Sequence, residues 1–416
     1  KPHMLFSLSK SFTSTAIGLL TQEGQIALED RVIGFFPEYA PEDPSPNLSA
    51  MTIRDLLIMG TGHAQEPAMP SDIWAADFLK QAVEHEPGTH FVYNSAATYM
   101  LSAILQKVTG ITLLDYLQPR LFEPLGIHGA TWESCPQGIN TGGWGLKLKT
   151  EDIAKFGQLY LQKGVWEGQR LIPEAWIEEA TSKQISNGPA DSSSDWTEGY
   201  GYQFWMCRHG AYRGDGAFGQ YCVVLPEQDA VIAITSGLGD MQAVLNEVWE
   251  HLQPAMGSDV LPADAGAEVS LTGTLQNLKL DPPRDEAASP IEKDVSGIVY
   301  DLEENEEKLF SFSVRFEEDG AVMELTGEHG VHSVVCGRNE WKSGTTKLMM
   351  MGDNEYAASM TWKDERSLKL TIRLTETPFY LTTECTFGEE GIHLAYWMNQ
   401  SFEGKVVREI KGKVKA

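Results

Sequence analysis

The sequence predicts an α+β protein with two domains, the second of them all-β. At 416 residues the chain is longer than one compact core usually supports. Helical periodicity dominates the first half, and strand-like runs follow in separate blocks rather than alternating strictly with helices. Residues 256–293 are rich in Pro, Ala, Asp and Gly, which indicates a linker between a domain over 1–255 and a domain over 294–416.

Apolar residues recur at helical spacing in several segments of the first domain. The first segment runs from Ser7 to about Leu20 and ends before Gly24, so Ser7 is predicted to lie in the N-terminal turn of a buried helix. The same pattern predicts helices at Ile53–Met59, Ala96–Val108, Leu113–Leu121, Glu151–Gln162 and Met241–Leu252.

Strand-like runs follow these helices. In the first domain they are Gly201–Cys207, Tyr221–Leu225 and Ala230–Thr235, and the turn residues 226–229 predict a hairpin between the last two. Beyond the linker, short alternating segments predict an all-β sandwich or meander whose role the sequence leaves open. These segments are Phe310–Phe316, Ala321–Leu325, Leu348–Met351, Leu368–Leu374 and Ile392–Trp397.

Composition argues against several classes of function. A formal net charge of -27 repels nucleic-acid phosphates and anionic lipid, so no nucleic-acid partner is expected. The sequence contains no run of about 18 apolar residues, so no transmembrane segment is predicted. The five cysteines form no Cys-x-x-Cys pair, and His85 and His90 fit no zinc motif, so neither a metal nor another cofactor is expected.

The start of the chain also carries an expectation. The first residue is Lys1 rather than an initiator methionine, and Met4-Leu5-Phe6 runs directly into the first apolar helix. We therefore expect an N-terminal piece, with any targeting segment, to precede this sequence. Widely spaced free thiols favour a reducing, cytoplasmic compartment.

Ser7-Leu8-Ser9-Lys10 forms the S-x-x-K tetrad of the chain. Residues at i and i+3 share a helix face, so the Lys10 amine can lie beside the Ser7 hydroxyl. Serine becomes a nucleophile when a base takes its proton, and burial near the positive end of a helix lowers the pKa of a lysine enough for that task. The tetrad alone also fits a helix-capping serine beside a solvated lysine.

Tyr93 is a second candidate, within Phe91-Val92-Tyr93-Asn94-Ser95 and just before a predicted helix. A phenol at this junction could approach Ser7, accept a proton as phenolate and return it to the leaving group. The alternative is a packed aromatic residue followed by Ser95 as a helix cap.

The stretch Arg213–Gln220 contains the letters of a G-x-G-x-x-G dinucleotide motif. That motif must open a helix, whereas Gly219 leads into a predicted strand and hairpin, so dinucleotide binding is rejected. Glycines beside an edge strand instead let a backbone N–H approach a substrate carbonyl. Such an N–H, together with the N–H of Ser7, would form an oxyanion hole.

In this order the three stretches resemble the superfamily of serine β-lactamases, penicillin-binding proteins and class C-type esterases, over roughly the first 255 residues. Segments 56–62, 121–127 and 224–227 are similar to the family as well. The resemblance implies a β-lactamase/transpeptidase-like domain, with a helical subdomain and an antiparallel sheet. It also implies that Ser7 is the acylated nucleophile, Lys10 its partner and Tyr93 the tyrosine of the Tyr-x-Asn motif.

The sequence departs from the family pattern at two positions, one in the remaining motif and one in the tyrosine motif. Gly214-Asp215-Gly216 takes the place of Lys-Thr-Gly, with Ala217 supplying the second oxyanion N–H, so the lysine of the motif is absent. Ser95 stands where the tyrosine motif has asparagine, and Asn94 lies beside it. These residues are the predicted oxyanion and substrate-binding set.

The missing lysine narrows the predicted function. In the family it helps to hold the carboxylate of penicillins and of peptide C-termini, and Arg213 or Arg208 could substitute for it. Its loss favours a small-molecule esterase, amidase or D-amino-acid peptidase with weak β-lactamase activity over a dedicated β-lactamase. The alternative is a sensor that acylates without turnover. His63 and His209 are further general-base candidates without a triad context.

Overall fold

The computed structural model describes residues 1–189, 191, 193–257, 262–349 and 352–416. The chain divides into two compact units, Lys1–Ser258 and Asp259–Ala416. Each unit has a hydrophobic core of its own.

Helices are the main regular elements of the first unit. They are α1 Ser9–Gln22, α2 Val32–Phe35, α3 Pro46–Ala50, α4 Ile53–Leu57, α5 Trp74–Lys80, α6 Ser95–Thr109, α7 Leu113–Leu117, α8 Thr150–Leu161, α9 Glu174–Ala180 and α10 Met241–Glu247. Twelve of the fourteen residues of α1 are buried, and Phe12 stacks on Phe156 of α8 with ring centroids 3.9 Å apart. Helix α1 is therefore the central helix of this core.

Several predicted helices are confirmed with altered ends. Ser7 lies in a 3₁₀ turn, Phe6–Leu8, that leads into α1, rather than in the helix itself. The predicted helices at 113–121 and 241–252 change to π-helical turns after Leu117 and Glu247. Within the described residues no single helix is long and apolar enough to span a membrane, although the bent pair Ser95–Thr109 and Leu113–Phe122 passes jointly by length and composition.

The strands of the first unit are short. They are β1 His3–Met4, β2 Thr131–Trp132, β3 Leu146–Leu148, β4 Val165–Trp166, β5 Gln169–Arg170, β6 Trp205–Met206, β7 Tyr212–Gly216, β8 Gln220–Leu225 and β9 Ala230–Ile234. The last four form an antiparallel sheet in the order β6-β7-β8-β9, against which α8 packs. The predicted hairpin is confirmed as β8 and β9.

The prediction of a strand over 201–207 is wrong for most of that segment. Gln203 has a left-handed backbone with φ of 63°, and its side-chain amide donates hydrogen bonds to the carbonyls of Leu56 and Leu57. Extended pairing therefore begins only at Trp205.

The second unit is a β-barrel with two helices. It contains α11 Ala265–Gln276, α12 Glu292–Val295, β10 Val299–Leu302, β11 Leu309–Glu317, β12 Gly320–Gly327, β13 Gly330–Arg338, β14 Lys342–Thr346, β15 Asn354–Trp362, β16 Ser367–Leu374, β17 Tyr380–Phe387, β18 Gly391–Met398 and β19 Arg408–Val414. Sheet order is β13-β12-β11-β10-β19-β18-β17-β16-β15-β14, and a parallel pairing of β13 with β15 closes the barrel. The sequence predicts either an all-β sandwich or a meander for this region, and the meander is confirmed.

The structure adds detail to one sequence prediction in this region and corrects another. The segment predicted as linker, 256–293, contains α11 and the start of α12. The strand predicted at 348–351 is not found where it can be assessed, because β14 ends at Thr346 and Leu348 and Met349 lie outside any strand. Met350 and Met351 lie outside the described residues.

Candidate active site

Ser7 and Lys10 meet at the junction between the 3₁₀ turn and α1. The Lys10 Nζ lies 2.9 Å from the Ser7 Oγ, 3.2 Å from the Ser95 Oγ and 2.8 Å from the carbonyl oxygen of Gly143. Lys10 is only 1% exposed. The amine is therefore held in one position beside the candidate nucleophile.

Burial controls the protonation of Lys10. Removal from water lowers the pKa of its amine to about 7, although the carboxylates of Glu66 and Asp215 oppose this shift. At neutral pH a large fraction of Lys10 is therefore uncharged. The Gly143 carbonyl can only accept a hydrogen bond, and Ser95 can accept the second N–H, so the lone pair of a neutral amine is left to face Ser7.

Tyr93 lies beside the same two residues. Its phenol interacts with the Ser7 hydroxyl, and the Lys10 Nζ lies 4.8 Å from the centre of its ring. The ring stacks on Trp205 with centroids 5.4 Å apart. Burial, together with nearby Asp215, raises the pKa of Tyr93 well above its ordinary value, so the phenol stays protonated at neutral pH. This favours Tyr93 as a proton donor over the phenolate base that we considered from sequence.

The two residues after Tyr93 point in different directions. Ser95 is the first residue of α6 and faces Lys10. Asn94 is fully buried, caps α6 through a 2.9 Å bond from the Ala97 N–H, and donates to Thr61 at 3.3 Å. Ser95 thus joins the group around Ser7, whereas the polar atoms of Asn94 are engaged in the core.

Strand β7 runs directly beside the nucleophile turn. A Cβ atom added at Gly216 would collide with the Leu5 carbonyl, and the rings of Phe6 and Phe218 meet edge to face with centroids 5.5 Å apart. The backbones of Ser7 and Ala217 are therefore neighbours. Within the described residues neither of their N–H groups has a protein acceptor, so both are available to hold an oxyanion.

The face of β7 that packs on α1 has no room for a side chain at the position of the missing lysine. A Cβ at Gly214 would lie 2.5 Å from the Ser11 Oγ and 2.6 Å from a methyl group of Leu8. Gly214, which has no side chain, therefore allows β7 to approach α1 closely.

The two arginines proposed as substitutes for that lysine are both engaged. Arg213 is fully buried, and its guanidinium donates to Asp215 at 2.8 Å and to the Asp195 carbonyl at 2.8 Å. Arg208 donates to the Asp195 carboxylate at 2.8 Å and to Asn246 at 2.9 Å. These contacts hold both guanidinium groups in ion pairs, while the buried Nη2 of Arg213 makes no hydrogen bond within the described residues.

Replacing Arg213 by Met is expected to destabilise the first unit. It would leave the Asp215 carboxylate buried without its ion pair, which lowers the free energy of unfolding by about 3–5 kcal/mol. The matched control is Arg315→Met on β11, where Arg315 pairs with Glu317 two residues along a strand but the side chains are 61% and 41% exposed. There the expected loss is about 1 kcal/mol or less. Urea unfolding measures the free energy of unfolding of both variants. Equal losses would contradict the expectation that the buried ion pair contributes more than the exposed one.

The histidine candidates lie elsewhere. His63 is 2% exposed, its Nδ1 lies 2.9 Å from the Thr61 hydroxyl, and burial lowers the pKa of its ring to about 4. His209 is exposed and packs against Trp249. Among the residues that the structure describes, no group of three His, Cys, Asp or Glu is placed to bind a metal ion.

Sequence reasoning missed two groups of the site. Glu66 is exposed and accepts a 2.6 Å hydrogen bond from the Ser95 N–H, which puts a carboxylate within the field of Lys10 and Tyr93. Gly143 contributes only its carbonyl oxygen. Neither position has a local sequence signal, since a surface glutamate and a loop glycine are common in any protein.

Comparisons with known proteins identify the family of the first unit. The family described as Beta-lactamase matches residues 1–247. The 6-aminohexanoate-dimer hydrolase of Paenarthrobacter ureafaciens is 26% identical over 62% of this chain and 71% of its own length. Penicillin-binding protein 4 of Amycolatopsis lactamdurans is 25% identical over 59% of this chain and 74% of its own.

A solved structure shares the fold. It comes from Bacillus anthracis, is provisionally described as a 6-aminohexanoate-dimer hydrolase, and aligns with a TM-score of 0.50 and 21% identity over 67% of this chain and 74% of that one. Since the family match spans more than half of the 416 residues, the chain belongs to the beta-lactamase family of serine hydrolases.

Proposed function

We propose that the protein hydrolyses an ester or amide bond through an acyl-enzyme on Ser7. The observation that carries this proposal is the contact between the Ser7 hydroxyl and the buried Lys10 amine, at 2.9 Å, with a lysine pKa of about 7. A base whose pKa lies near the working pH is the most effective kind for taking a serine proton.

The chemistry proceeds in two halves. In the first, neutral Lys10 takes the Ser7 proton, the Oγ attacks the carbonyl carbon, and the N–H groups of Ser7 and Ala217 hold the oxyanion. The Tyr93 hydroxyl then gives a proton to the leaving oxygen or nitrogen and is reprotonated through Lys10. In the second half a water molecule, deprotonated by the same pair, attacks the acyl carbon and releases the acid, and the proton returns to Ser7.

Charge around the site supports a substrate without a carboxylate near the scissile bond. The family lysine is replaced by Gly214, and Arg213 and Arg208 are held by other partners. The groups whose charges act on Lys10 and Tyr93 include Glu66 and Asp215, both acidic. Neutral or amine-bearing acyl groups suit this field, and the similarity to a 6-aminohexanoate-dimer hydrolase favours linear amides among them.

A matched set of p-nitrophenyl esters tests this substrate class. With hexanoyl, 6-aminohexanoyl and adipoyl esters, we expect kcat/KM for the first two to exceed that of the carboxylate-bearing adipoyl ester by about tenfold or more, because Glu66 repels the anion. Linear anilides of the same acids, nitrocefin and D-alanyl peptides extend the comparison.

The Glu66→Gln variant isolates the charge. Glutamine retains an acceptor for the Ser95 N–H but carries no charge, so the penalty on the adipoyl ester should shrink while hydrolysis of the hexanoyl ester changes by less than about threefold. Wild-type hydrolysis of the adipoyl ester as fast as that of the hexanoyl ester would contradict the proposed substrate class. Absence of all ester hydrolysis would contradict the proposed function itself.

A further inference from the structure

The barrel of the second unit contains a cavity at one end. Its volume is about 300 Å³, which reaches the lower end of the range of about 300–1,000 Å³ typical of small-molecule sites, and mouths of β-barrels are a common place for such sites. The walls are mainly apolar side chains that point inward from the strands. They are Leu309, Phe312, Met323, Leu325, Leu381, Leu394, Met398 and Ile410.

The opposite end of the barrel is closed by aromatic residues. Trp362 is fully buried, and its ring lies 5.6 Å from that of Phe316 and 5.8 Å from that of Phe387. The Trp362 indole N–H donates to Glu292 of α12 at 2.7 Å, so the helix fixes this end in place. The cavity is therefore a pocket closed at its base rather than a channel.

The sequence of individual strands explains the asymmetry. Side chains alternate between the inside and the outside of a barrel, so every second residue faces inward. On β17 the inward residues run Leu381, Thr383, Cys385 and Phe387, from the cavity to the closed end. The rings of Phe316, Trp362 and Phe387 fill one end, and space is left at the other, whereas well-packed cores leave few voids larger than a water molecule.

The cavity lining also includes polar side chains. They are Glu307, Glu328, His329, His332, Lys347, Thr383, Tyr396, Trp397 and Arg408. The Tyr396 hydroxyl is buried and, within the described part of the chain, has no hydrogen-bond partner of standard geometry, although the Glu307 carboxylate lies near it. Arg408 pairs with Glu307 at 2.9 Å, and Lys347 lies 3.7 Å from Asp353. Glu328 in turn lies 2.7 Å from Lys308, so these four charged side chains each have a partner of opposite charge. The Tyr396 hydroxyl is a neutral group beside them.

We propose that this cavity binds a small, uncharged, mostly apolar molecule with one hydroxyl or carbonyl group that meets Tyr396. The apolar walls contribute binding by excluding water, and a charge on the ligand would have to compete with the ion pairs that Glu307, Arg408 and Lys347 already make. The cavity is lined by residues of the second unit alone, and the proposal stands whether or not the proposed hydrolysis is found.

Fluorescence titration of the full chain with N-phenyl-1-naphthylamine tests the site. We expect saturable binding of one probe molecule per chain and displacement of the probe by 1-decanol. Decanoate and decylammonium should compete about tenfold or more weakly, because a charge is poorly tolerated inside the cavity. Leu381→Trp, which fills the cavity, should abolish probe binding. Val331→Trp adds the same ring to an outward position that is 64% exposed on β13 and should leave binding unchanged.

A third variant tests the polar contact. Tyr396→Phe should weaken the binding of 1-decanol by about three- to tenfold and leave the binding of the probe unchanged. This variant also provides a test if circular dichroism shows that Leu381→Trp is not folded. Lack of saturable binding would overturn the proposal. So would equal binding by the two tryptophan variants, which would place the probe on an exposed apolar surface such as α11, where Val269 is 73% exposed.

Discussion

Replacing Ser7 by Ala is expected to lower kcat/KM for p-nitrophenyl esters by about 10⁴-fold or more, the largest effect of any single substitution in this chain. Without the Oγ no acyl-enzyme can form, and Lys10 and Tyr93 have no nucleophile on which to act. The backbone N–H groups of Ser7 and Ala217 remain, so a small residual rate above that in water is expected. Initial rates with the hexanoyl ester measure the change.

Ser14→Ala is the matched control for this substitution. Ser14 lies on α1, is fully buried, and has no hydrogen-bond partner for its hydroxyl among the residues described. Removing a hydroxyl that makes no hydrogen bond is close to neutral for stability. We expect Ser14→Ala to keep activity within about twofold of the wild type. Similar losses in the two variants would indicate disruption of α1 rather than loss of a nucleophile.

The second large loss of activity is expected for Lys10→Met. Methionine is a flexible apolar side chain that tolerates burial, but it cannot accept the Ser7 proton. Loss of a positioned base lowers kcat/KM by about 10²–10⁴-fold. Circular dichroism of the variant checks that the fold is retained.

The pH profile gives Lys10 a specific signature. Only the neutral amine can act as a base, so the rate for the wild type should rise with pH and level off above a midpoint near pH 7, where the lysine pKa of about 7 places it. Lys10→Met should lose this rise. Because Glu66 raises the pKa of Lys10, Glu66→Gln should move the midpoint to lower pH. A wild-type midpoint that persists in Lys10→Met would assign the titration to another group.

Helices and the nucleophile tetrad are predictable from the sequence because their signals are local. The period of the apolar residues determines α1, α6 and α8, and the i, i+3 spacing of Ser7 and Lys10 brings them together whether the turn is α or 3₁₀. The β8–β9 hairpin follows from the turn residues between two apolar runs. Each of these predictions depends on residues that are close in the chain.

Features built from distant contacts are not accessible in this way. Strand β7 contains Gly214 and Gly216, which weaken any strand signal, and it forms by pairing with β6 and β8. Its glycines are needed because residues 5, 8 and 11 leave no room for side chains there. The contact of Glu66 with Ser95 joins residues 29 positions apart, and that of Gly143 with Lys10 joins residues 133 apart. The closure of the barrel likewise depends on the pairing of Gly337 with Ser359.

Identification of the acylated residue tests the central claim most directly. The protein is mixed with p-nitrophenyl acetate, quenched in acid within the first turnovers, digested and analysed by mass spectrometry. We expect one acetyl group on the peptide that contains Ser7, formed and lost as p-nitrophenol is released; an adduct that persists would instead mark a sensor that acylates without turnover. Hydrolysis without any Ser7 adduct, or an adduct on another residue, would contradict the account.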